Sequence, residues 1–215
     1  MREVQLESGS AEASLSPRGI ELVDAAARLF FEQGYPQTTT REITGALGLT
    51  PGALYNHFAS KEELLWVIVD GAYRETQRVC LAAVERGGGD PVAELRELAI
   101  AMTYMHTSPY RIKAIVARSE RTRLPHAQAA EIEAIHERIP RLWAATLRRG
   151  TDSGVFHLPP VDGDEPDLVV VARTMTGYCV YSGYWFGPQQ PITAEQLPIL
   201  LAEFVLRMAV GHSSA

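Results

Sequence analysis

Residues 34–63, GYPQTTTREITGALGLTPGALYNHFASKEE, decide the fold of this chain. The threonines at positions 38–40 offer capping hydroxyls for a short helix, and Gly48 begins a tight turn after it. A second short helix is expected over residues 51–58, because its apolar side chains stand one turn apart on a single face. Two short helices joined by a tight turn are typical of a helix-turn-helix.

The segments around this motif are patterned for helices and not for strands. Pro17 follows a capping serine and opens a first helix, which Gly34 ends. Ser60 and Glu63 form a capping box that opens a long helix to about residue 84. Later helices are expected at residues 90–107, from Ser108 onward, at 125–150 with a kink or break at Pro140, at 167–185 and at 193–208. No stretch alternates apolar and polar residues as a strand does, so the sequence predicts an all-α fold.

The composition is that of a folded chain without an excess of positive charge. Its 215 residues are 46% hydrophobic and 21% charged, with a formal net charge of −6, so no global positive field attracts nucleic acid or membranes. Residues 1–15 are polar and are expected to form a flexible arm. No signal peptide or membrane-spanning run is visible, and two cysteines are too few for a disulfide framework. We therefore expect a cytoplasmic protein.

Fixed positions within residues 17–66 carry more information than the helical pattern. They are Gly34-Tyr35, Thr38-Thr39, Ile43, Gly48-Leu49-Thr50, Gly52-Ala53-Leu54-Tyr55, His57-Phe58 and Ser60-Lys61-Glu62. At these positions the chain resembles the TetR/AcrR family of bacterial transcriptional regulators. It departs from the family pattern at Thr44 and Leu47, where alanine is common, and both changes concern packing.

The resemblance implies an all-α protein with two domains. An N-terminal three-helix DNA-binding domain with the helix-turn-helix is expected at residues 16–60, and a larger helical domain for ligand binding and dimerisation at residues 61–215. Beyond residue 66 the likeness is one of length and helical layout. The sequence has no glycine-rich phosphate loop, nucleophile elbow or metal-ligand spacing, so we expect no enzymatic activity, cofactor or metal site.

The second half of the motif is the predicted contact surface for double-stranded DNA. Small side chains at Gly52 and Ala53 let the helix press into the major groove, where Asn56 can read a base edge. Tyr55 and His57 are assigned to phosphates. The predicted DNA-binding set is Thr39, Thr40, Arg41, Thr50, Pro51, Gly52, Ala53, Tyr55, Asn56, His57 and Lys61.

Three further members of this set have specific expected roles. Thr50 is expected to cap the second short helix of the motif, residues 51–58. The backbone amides at the start of that helix can then bind a phosphate. Arg41 can bind a guanine through two hydrogen bonds, and Lys61 can pair with a phosphate. Residues 17–66 carry four cations and six anions, a net charge of −2. Affinity must therefore rest on geometry and a few placed cations, with a modest salt dependence.

Aromatic side chains concentrated in residues 66–186 suit a mainly apolar ligand cavity with a few polar groups. For any single aromatic residue, packing in the core is the more common role. The predicted ligand-binding residues are Trp66, Tyr104, Met105, Arg118, Trp143, Thr174, Tyr178 and Tyr181. The five cations of residues 111–123 can hold an anionic ligand, although a solvated face or interface salt bridges is the more ordinary interpretation. Cys80 and Cys179 are interpreted as inert packing, with a redox switch as the minor alternative.

An apolar stripe in the last helix is expected to mediate dimerisation. It comprises Leu197, Leu201, Phe204, Val205 and Met208. In the preceding helix, Gly177 and Gly183 permit the close approach of a neighbouring helix. The family resemblance implies a four-helix interface between two subunits. The alternative is that the stripe packs only inside its own subunit.

The leading interpretation is a homodimeric repressor that a small, largely apolar ligand releases from a palindromic operator. Activation instead of repression stays open, since both use the same contacts. The alternative is a helical protein that sequesters a lipid-like ligand without an operator. An enzyme that merely retains the motif is the third possibility.

Overall fold

The chain forms eight α-helices within residues 11–187 and 189–211, which the computed structural model describes. They are α1 (Pro17–Gln33), α2 (Thr40–Gly45), α3 (Lys61–Gly87), α4 (Pro91–Thr107), α5 (Arg111–Glu120), α6 (His126–Asp152), α7 (Leu168–Trp185) and α8 (Gln196–Val210). Short 3-10 helices lie at Ala11–Ser14, Pro51–Asn56 and Arg121–Arg123. The predicted all-α class is confirmed. None of the helices in the described part of the chain combines the length and apolarity needed to cross a bilayer.

The chain divides into two compact units. The first comprises Met1–Glu75 and Tyr110–Ile135, and the second comprises Thr76–Pro109 and His136–Ala215. The long helices α3 and α6 contribute residues to both units. The predicted domain boundary at residue 60 separates the DNA-binding motif from the rest of the chain and does not coincide with this division into compact units. It stays a prediction.

The core of the first unit holds the short helices of the motif in place. Leu22 of α1, Ile43 of α2 and Leu54 of the 3-10 segment have no exposed surface, and Phe58 is 2% exposed. Helix α1 packs against α2 and α5. Each buried side chain of this size contributes about 1.5–3 kcal/mol. Helices as short as α2 are marginal alone, so this packing is what stabilises them.

The chain before α1 packs against the first unit instead of extending freely. Ala11 donates its backbone N–H to the Asp70 carboxylate at 2.8 Å. The Glu12 side chain is 2% exposed and pairs with Lys113. The flexible arm predicted for residues 1–15 is therefore wrong from Ala11 onward, because these contacts fix the backbone there. The preceding positions lie outside the described residues.

Most predicted helix starts are confirmed by the caps that form them. Asp90 accepts hydrogen bonds from two amides in the first turn of α4, and Asp167 does the same for α7. Thr193 and Gln196 exchange side-chain and backbone hydrogen bonds at 3.0 and 3.2 Å, as a capping box requires. These caps satisfy amides that the helices cannot satisfy internally.

Two predicted features of the middle helices differ in the structure. The predicted helix start at Ser108 is wrong, because its N–H bonds to the Tyr104 carbonyl and so closes α4, while α5 begins at Arg111. Helix α6 continues through Pro140 as one element, so the predicted break is absent, whereas a kink there stays a prediction. This proline is buried, so packing offsets the backbone hydrogen bond that it cannot donate.

The second unit is assembled around α4, which packs against α7 and α8. The buried carboxylate of Glu94 accepts hydrogen bonds from Arg149 and Thr146, which neutralise it. A Cβ added to Gly183 would lie 3.0 Å from the backbone oxygen of His106. The neighbouring helix whose close approach Gly183 permits is therefore α4 of the same subunit.

Candidate nucleic-acid interface

A capping box fixes the start of α2. The Thr39 hydroxyl accepts a hydrogen bond from the Glu42 N–H at 3.2 Å, and the Glu42 carboxylate accepts one from the Thr39 N–H at 2.7 Å. This second bond is the main cause that lowers the pKa of Glu42 below its usual value. The box holds the first turn of α2, where Thr40 is half-buried and Arg41 is exposed. Arg41 is thus available for the predicted base contact.

Removing the Thr39 hydroxyl is expected to lower the melting temperature by about 2–4 °C, the usual effect of losing one cap in a chain of this size. The pKa of Glu42 is lower in the folded than in the unfolded chain, so its contribution is complete above the ordinary glutamate pKa and is lost as pH falls. The difference between Thr39→Ala and wild type should therefore shrink in acid. Thermal unfolding at several pH values measures it. Thr40→Ala is the matched control, since its hydroxyl makes no hydrogen bond among the described residues, and an equal loss in both variants would contradict the assignment.

The turn of the motif depends on Gly48, whose φ of 67° lies in the left-handed region that favours glycine. Leu49 donates its N–H back to the Thr44 carbonyl at 2.9 Å. The Thr44 hydroxyl, fully buried, bonds to carbonyls of the preceding turn at 3.1 Å. Leu47 packs half-buried against the core. Both departures from the family pattern are thus accommodated by local bonding and packing.

The segment Pro51–Asn56 is a 3-10 helix rather than the α-helix predicted for residues 51–58. The side chain of Thr50 makes no capping hydrogen bond, so its predicted capping role is wrong. Leu54 anchors the inner face, whereas the outer residues are exposed. The exposed members are Thr50, Pro51, Gly52, Tyr55, Asn56 and His57, and Ala53 is half-buried. The segment therefore presents one continuous exposed surface, as the predicted DNA contact requires.

Gly52 has open space where a side chain would stand. A Cβ added there meets no heavy atom within 4 Å, and its backbone needs no positive φ. The fold itself therefore does not require glycine at this position. The open space at Gly52 leaves room for a partner surface, and Gly45 at the end of α2 has equally open surroundings, so open space alone does not identify the contact.

Lys61 joins the start of α3 to the segment between α1 and α2. Its ammonium group donates to the carbonyls of Tyr35 at 3.0 Å and Thr38 at 2.9 Å, and it lies 4.3 Å from the centre of the Tyr35 ring. Burial first, and Glu62 second, raise the pKa of Tyr35 to about 12. Lys61 thus positions the chain before α2. Two of the three N–H donors of Lys61 are used in these bonds, so a phosphate contact would use the third.

The run of cations at residues 111–123 is largely engaged within the first unit. Lys113 pairs with buried and half-exposed acids, and Arg121 donates to the Tyr73 hydroxyl at 3.0 Å. Arg123 pairs with an acid three residues earlier at 2.5 Å. These contacts support the structural interpretation of the run over an anion-binding one. Arg118, a predicted ligand residue, is exposed.

The predicted ligand-binding residues are not gathered at one place. Trp66 and Arg118 belong to the first unit, and the other six belong to the second. There, Trp143 is fully buried, Met105 is 1% exposed, and Tyr104 is half-buried. Thr174, Tyr178 and Tyr181 lie on the exposed face of α7. An open cleft of about 520 Å³ beside Arg141, Arg148 and Val169 is lined by none of the eight. Their role stays a prediction.

The predicted dimer stripe divides between the core and the surface. Leu197, Leu201 and Val205 are at most 4% exposed and pack inside the subunit, whereas Phe204 and Met208 are 43% and 41% exposed. Tyr178 on α7 contacts the Phe204 ring edge to face, with centroids 6.5 Å apart. Exposed apolar residues of α7 and α8 thus meet in one surface. They are Val170, Tyr178, Tyr181, Tyr184 and Trp185 on α7, and Leu200, Phe204 and Met208 on α8, called the α7–α8 face below.

Both cysteines are buried thiols in the second unit. Cys80 and Cys179 have no exposed surface, and burial raises the pKa of each thiol to about 12. The thiolate is the reactive form, so neither cysteine should be alkylated by iodoacetamide at pH 8 in the native protein. Both should react in denaturant, as mass spectrometry would show. Rapid native labelling of either thiol would support the redox alternative instead.

The fold and the motif define a helix-turn-helix protein, and its similarities to known proteins agree. Bacterial regulatory proteins of the tetR family match residues 22–66, and the tetracyclin repressor-like C-terminal domain matches residues 88–209. The HTH-type transcriptional repressor KstR2 of Mycobacterium tuberculosis strain H37Rv is 28% identical over 183 residues, which cover 85% of this chain and 87% of that protein. The solved structure of the ketosteroid transcriptional regulator KstR2 is 25% identical with a TM-score of 0.81, covering 97% of this chain and 100% of that one. The TetR family regulator PfmR from Thermus thermophilus is 29% identical with a TM-score of 0.74, covering 86% and 97%.

The chain belongs to the tetR family of bacterial regulatory proteins. It is a DNA-binding regulator of transcription and not an enzyme, which confirms the predicted function class. Which side chains touch DNA or ligand, and how the subunits pair, stay predictions.

Proposed function

We propose that the protein is a homodimeric repressor that binds a palindromic operator and leaves it when a small, largely apolar ligand binds in the second unit. The observation that carries the proposal is the surface around Pro51–Asn56, which is exposed although Leu54 anchors the segment in the core. Repression, rather than activation, is proposed because the KstR2 relatives are named repressors. We expect the protein to act in the cytoplasm, where bacterial DNA lies.

The α7–α8 face supports the homodimer. Its large apolar side chains are exposed in the single chain, and contiguous apolar patches on soluble proteins mark interaction sites. Gly177 lies on α7 with open space where a Cβ would stand, so a partner helix can approach closely there. A two-fold dimer presents two copies of the motif, and a pseudo-palindromic operator matches that symmetry.

We assign the exposed residues of the predicted DNA-contact surface to base contacts or to phosphate contacts. Asn56 and Arg41 are exposed side chains with the hydrogen-bonding groups that read adenine and guanine edges. Tyr55 is 59% exposed and suits a phosphate. The His57 Nδ1 lies 3.4 Å from the Ser16 hydroxyl, and its ring packs beside the Phe58 ring with centroids 6.4 Å apart, which orients it. With a net charge of −2 over residues 17–66, we expect a shallow salt dependence.

Ligand binding is proposed to act through α3, since this helix contributes residues to both units. A ligand that favours one of two positions of α3 shifts the population of DNA-competent dimers. Coupling of about 1–3 kcal/mol is typical of such regulators. Operator affinity should then fall about five- to 150-fold at saturating ligand.

Tyr55 and Lys61 test the phosphate contacts on a duplex that the wild-type protein selects. Tyr55→Phe removes one exposed hydroxyl, so it should weaken binding about five- to tenfold at an unchanged melting temperature. Lys61→Ala should lower both affinity and melting temperature, because Lys61 also holds the chain before α2. Fluorescence anisotropy and thermal unfolding measure the two effects. Wild-type affinity in both variants would contradict the phosphate assignments.

A further inference from the structure

An open cleft lies between α6 and the start of α7 in the second unit. Its volume is about 520 Å³, which is within the range of small-molecule sites in proteins. Arg141 and Arg148 of α6 line one side, and Asp167 and Val169 line the other. None of the eight residues predicted from the sequence to bind a ligand lines this cleft. It is therefore a candidate site that the sequence analysis did not identify.

The α6 side of the cleft has small residues in its middle and an arginine at each end. Arg141 and Arg148 are seven residues apart, which places them on one face of the helix, about 10.5 Å apart along its axis. Ala144 and Ala145 lie between them and also line the cleft, and their short side chains leave the space open. Val169, which is half-buried, lines the opposite side. The cleft is thus a short apolar trough that ends in a cation on both sides.

Both arginines of the cleft are unpaired in the part of the chain that the structure describes. Neither guanidinium group makes an ion pair or a hydrogen bond with any of the described residues. Glu137 lies one turn from Arg141, but Arg173 pairs with it and is the main cause that lowers its pKa, to which Arg141 adds only a more distant charge. Other arginines of the second unit each pair with a carboxylate, namely Arg86, Arg96, Arg149 and Arg173. Arg141 and Arg148 thus keep their hydrogen-bond donors available to a ligand.

The charge of the cleft matches a ligand with a single negative charge. Asp167 also lines the cleft, but its Oδ1 accepts hydrogen bonds from the amides of Val169 at 2.7 Å and Val170 at 3.2 Å and so caps α7. The positive end of the helix dipole offsets part of this negative charge. Two arginines and one aspartate leave a net charge of +1 among the lining residues, so one carboxylate balances it. A phosphate monoester carries close to two negative charges at pH 7 and would exceed it.

We propose that this cleft binds the regulatory ligand, and that the ligand is an organic monocarboxylate with an apolar body. The proposal rests on the proposed function, whose ligand and binding site it specifies. A guanidinium group binds a carboxylate through two parallel hydrogen bonds, and such charge-assisted bonds are stronger than neutral ones. The apolar body lies against the alanines and Val169, where it is removed from water.

The position of the cleft on α6 links the ligand to the unit that contains the motif. Helix α6 contributes residues 126–135 to the first unit and residues 136–152 to the second. The first unit also contains the segment Pro51–Asn56. A ligand that binds one arrangement of α6 more tightly than another shifts the population between them. Helix α6 therefore acts together with α3 in the proposed response.

Three compounds separate the contribution of the charge from that of the apolar body. 4-Phenylbutyrate carries a carboxylate and an apolar body, 4-phenyl-1-butanol carries the body without the charge, and acetate carries the charge without the body. Isothermal titration calorimetry at low ionic strength measures the three affinities. We expect 4-phenylbutyrate to bind about tenfold more tightly than either of the other compounds. Added salt should weaken the binding of 4-phenylbutyrate and leave that of 4-phenyl-1-butanol unchanged, because only the first depends on charge.

Single substitutions of the two arginines assign the binding to the cleft. Arg141→Gln and Arg148→Gln should each weaken 4-phenylbutyrate binding about three- to fivefold, because an exposed ion pair is lost. The affinity for 4-phenyl-1-butanol and the melting temperature should stay unchanged, since neither guanidinium group has a partner among the described residues. Arg138→Gln is the matched control, because Arg138 is exposed on the same helix and does not line the cleft. It should keep wild-type affinity.

The regulatory role is tested on a duplex that the free protein selects. Saturating 4-phenylbutyrate should lower operator affinity about fivefold or more, the smallest effect that typical coupling between two sites gives. The double variant Arg141→Gln and Arg148→Gln should bind the duplex as the wild type does. It should need about tenfold more 4-phenylbutyrate for the same release.

Three results would overturn the proposal. They are equal affinity for 4-phenylbutyrate and either of the other two compounds, wild-type affinity for 4-phenylbutyrate in both arginine variants, and operator affinity that saturating 4-phenylbutyrate leaves unchanged. If the free protein binds its operator in any of these cases, the proposal about the cleft falls and the proposed function stands. If 4-phenylbutyrate binds through both arginines but no operator is enriched, the repressor proposal falls instead.

Discussion

Replacing Phe204 with glutamate is expected to break the dimer and to lower operator affinity about 100-fold or more. Phe204 is 43% exposed in the single chain and touches Tyr178 across α7 and α8, so a glutamate there can be solvated in a folded monomer. In a dimer the same carboxylate would be buried in an apolar interface without a partner, which is costly. A monomer holds only one half-site, and joint binding of two half-sites typically contributes a factor of about 100–10,000. Light scattering gives the oligomeric state, and anisotropy gives the affinity.

Leu81→Glu is the matched control for this prediction. Leu81 is 44% exposed, lies on α3 in the second unit, and is not part of the α7–α8 face. It changes the charge by the same amount at a similar exposure. A dimer that survives Phe204→Glu, or one that Leu81→Glu disrupts equally, would show that the subunits pair elsewhere.

The second large effect is expected at Gly52, where leucine should reduce operator affinity about 100-fold without lowering the melting temperature. The space around a Cβ at Gly52 is open in the free protein, so a larger side chain costs little there. On DNA the same side chain would hold the segment away from the groove. Specific base contacts are each worth about 1–3 kcal/mol, and the loss of two gives the expected factor.

Gly45→Leu provides the comparison for Gly52→Leu. Gly45 has the same open surroundings and ends α2, outside the exposed surface of Pro51–Asn56. We expect wild-type operator affinity for Gly45→Leu. If both variants bind DNA as well as the wild type does, the segment Pro51–Asn56 is not the element that enters the groove.

The sequence predicted most of the fold because short-range chemistry specifies it. Asp90 and Asp167 start helices with their own carboxylates, and Gly48 turns the chain with a backbone conformation that glycine favours. These signals lie within a few residues of the structure that they determine. The motif positions of residues 34–63 could be read in the same way, and the family model matches the range 22–66 that contains them.

Features that depend on residues far apart in the chain could not be predicted in this way. Glu12 is buried through its pairing with Lys113, 101 residues away, so local polarity wrongly indicated a flexible segment. Lys61 bonds to backbone carbonyls that no side-chain pattern reveals.

The candidate ligand site shows the same limit. A single aromatic residue carries no sign of whether it faces the core or the surface, so Trp143 and Tyr181 were predicted alike although they are 0% and 65% exposed.

Selection of bound duplexes from a random-sequence DNA pool tests the central claim most directly. The account predicts enrichment of an inverted repeat, much weaker binding to a scrambled duplex, and a shallow fall in affinity between two salt concentrations. The same duplex then serves every variant described above. A folded protein that enriches no sequence, or only a single half-site, would contradict a dimeric, sequence-specific repressor.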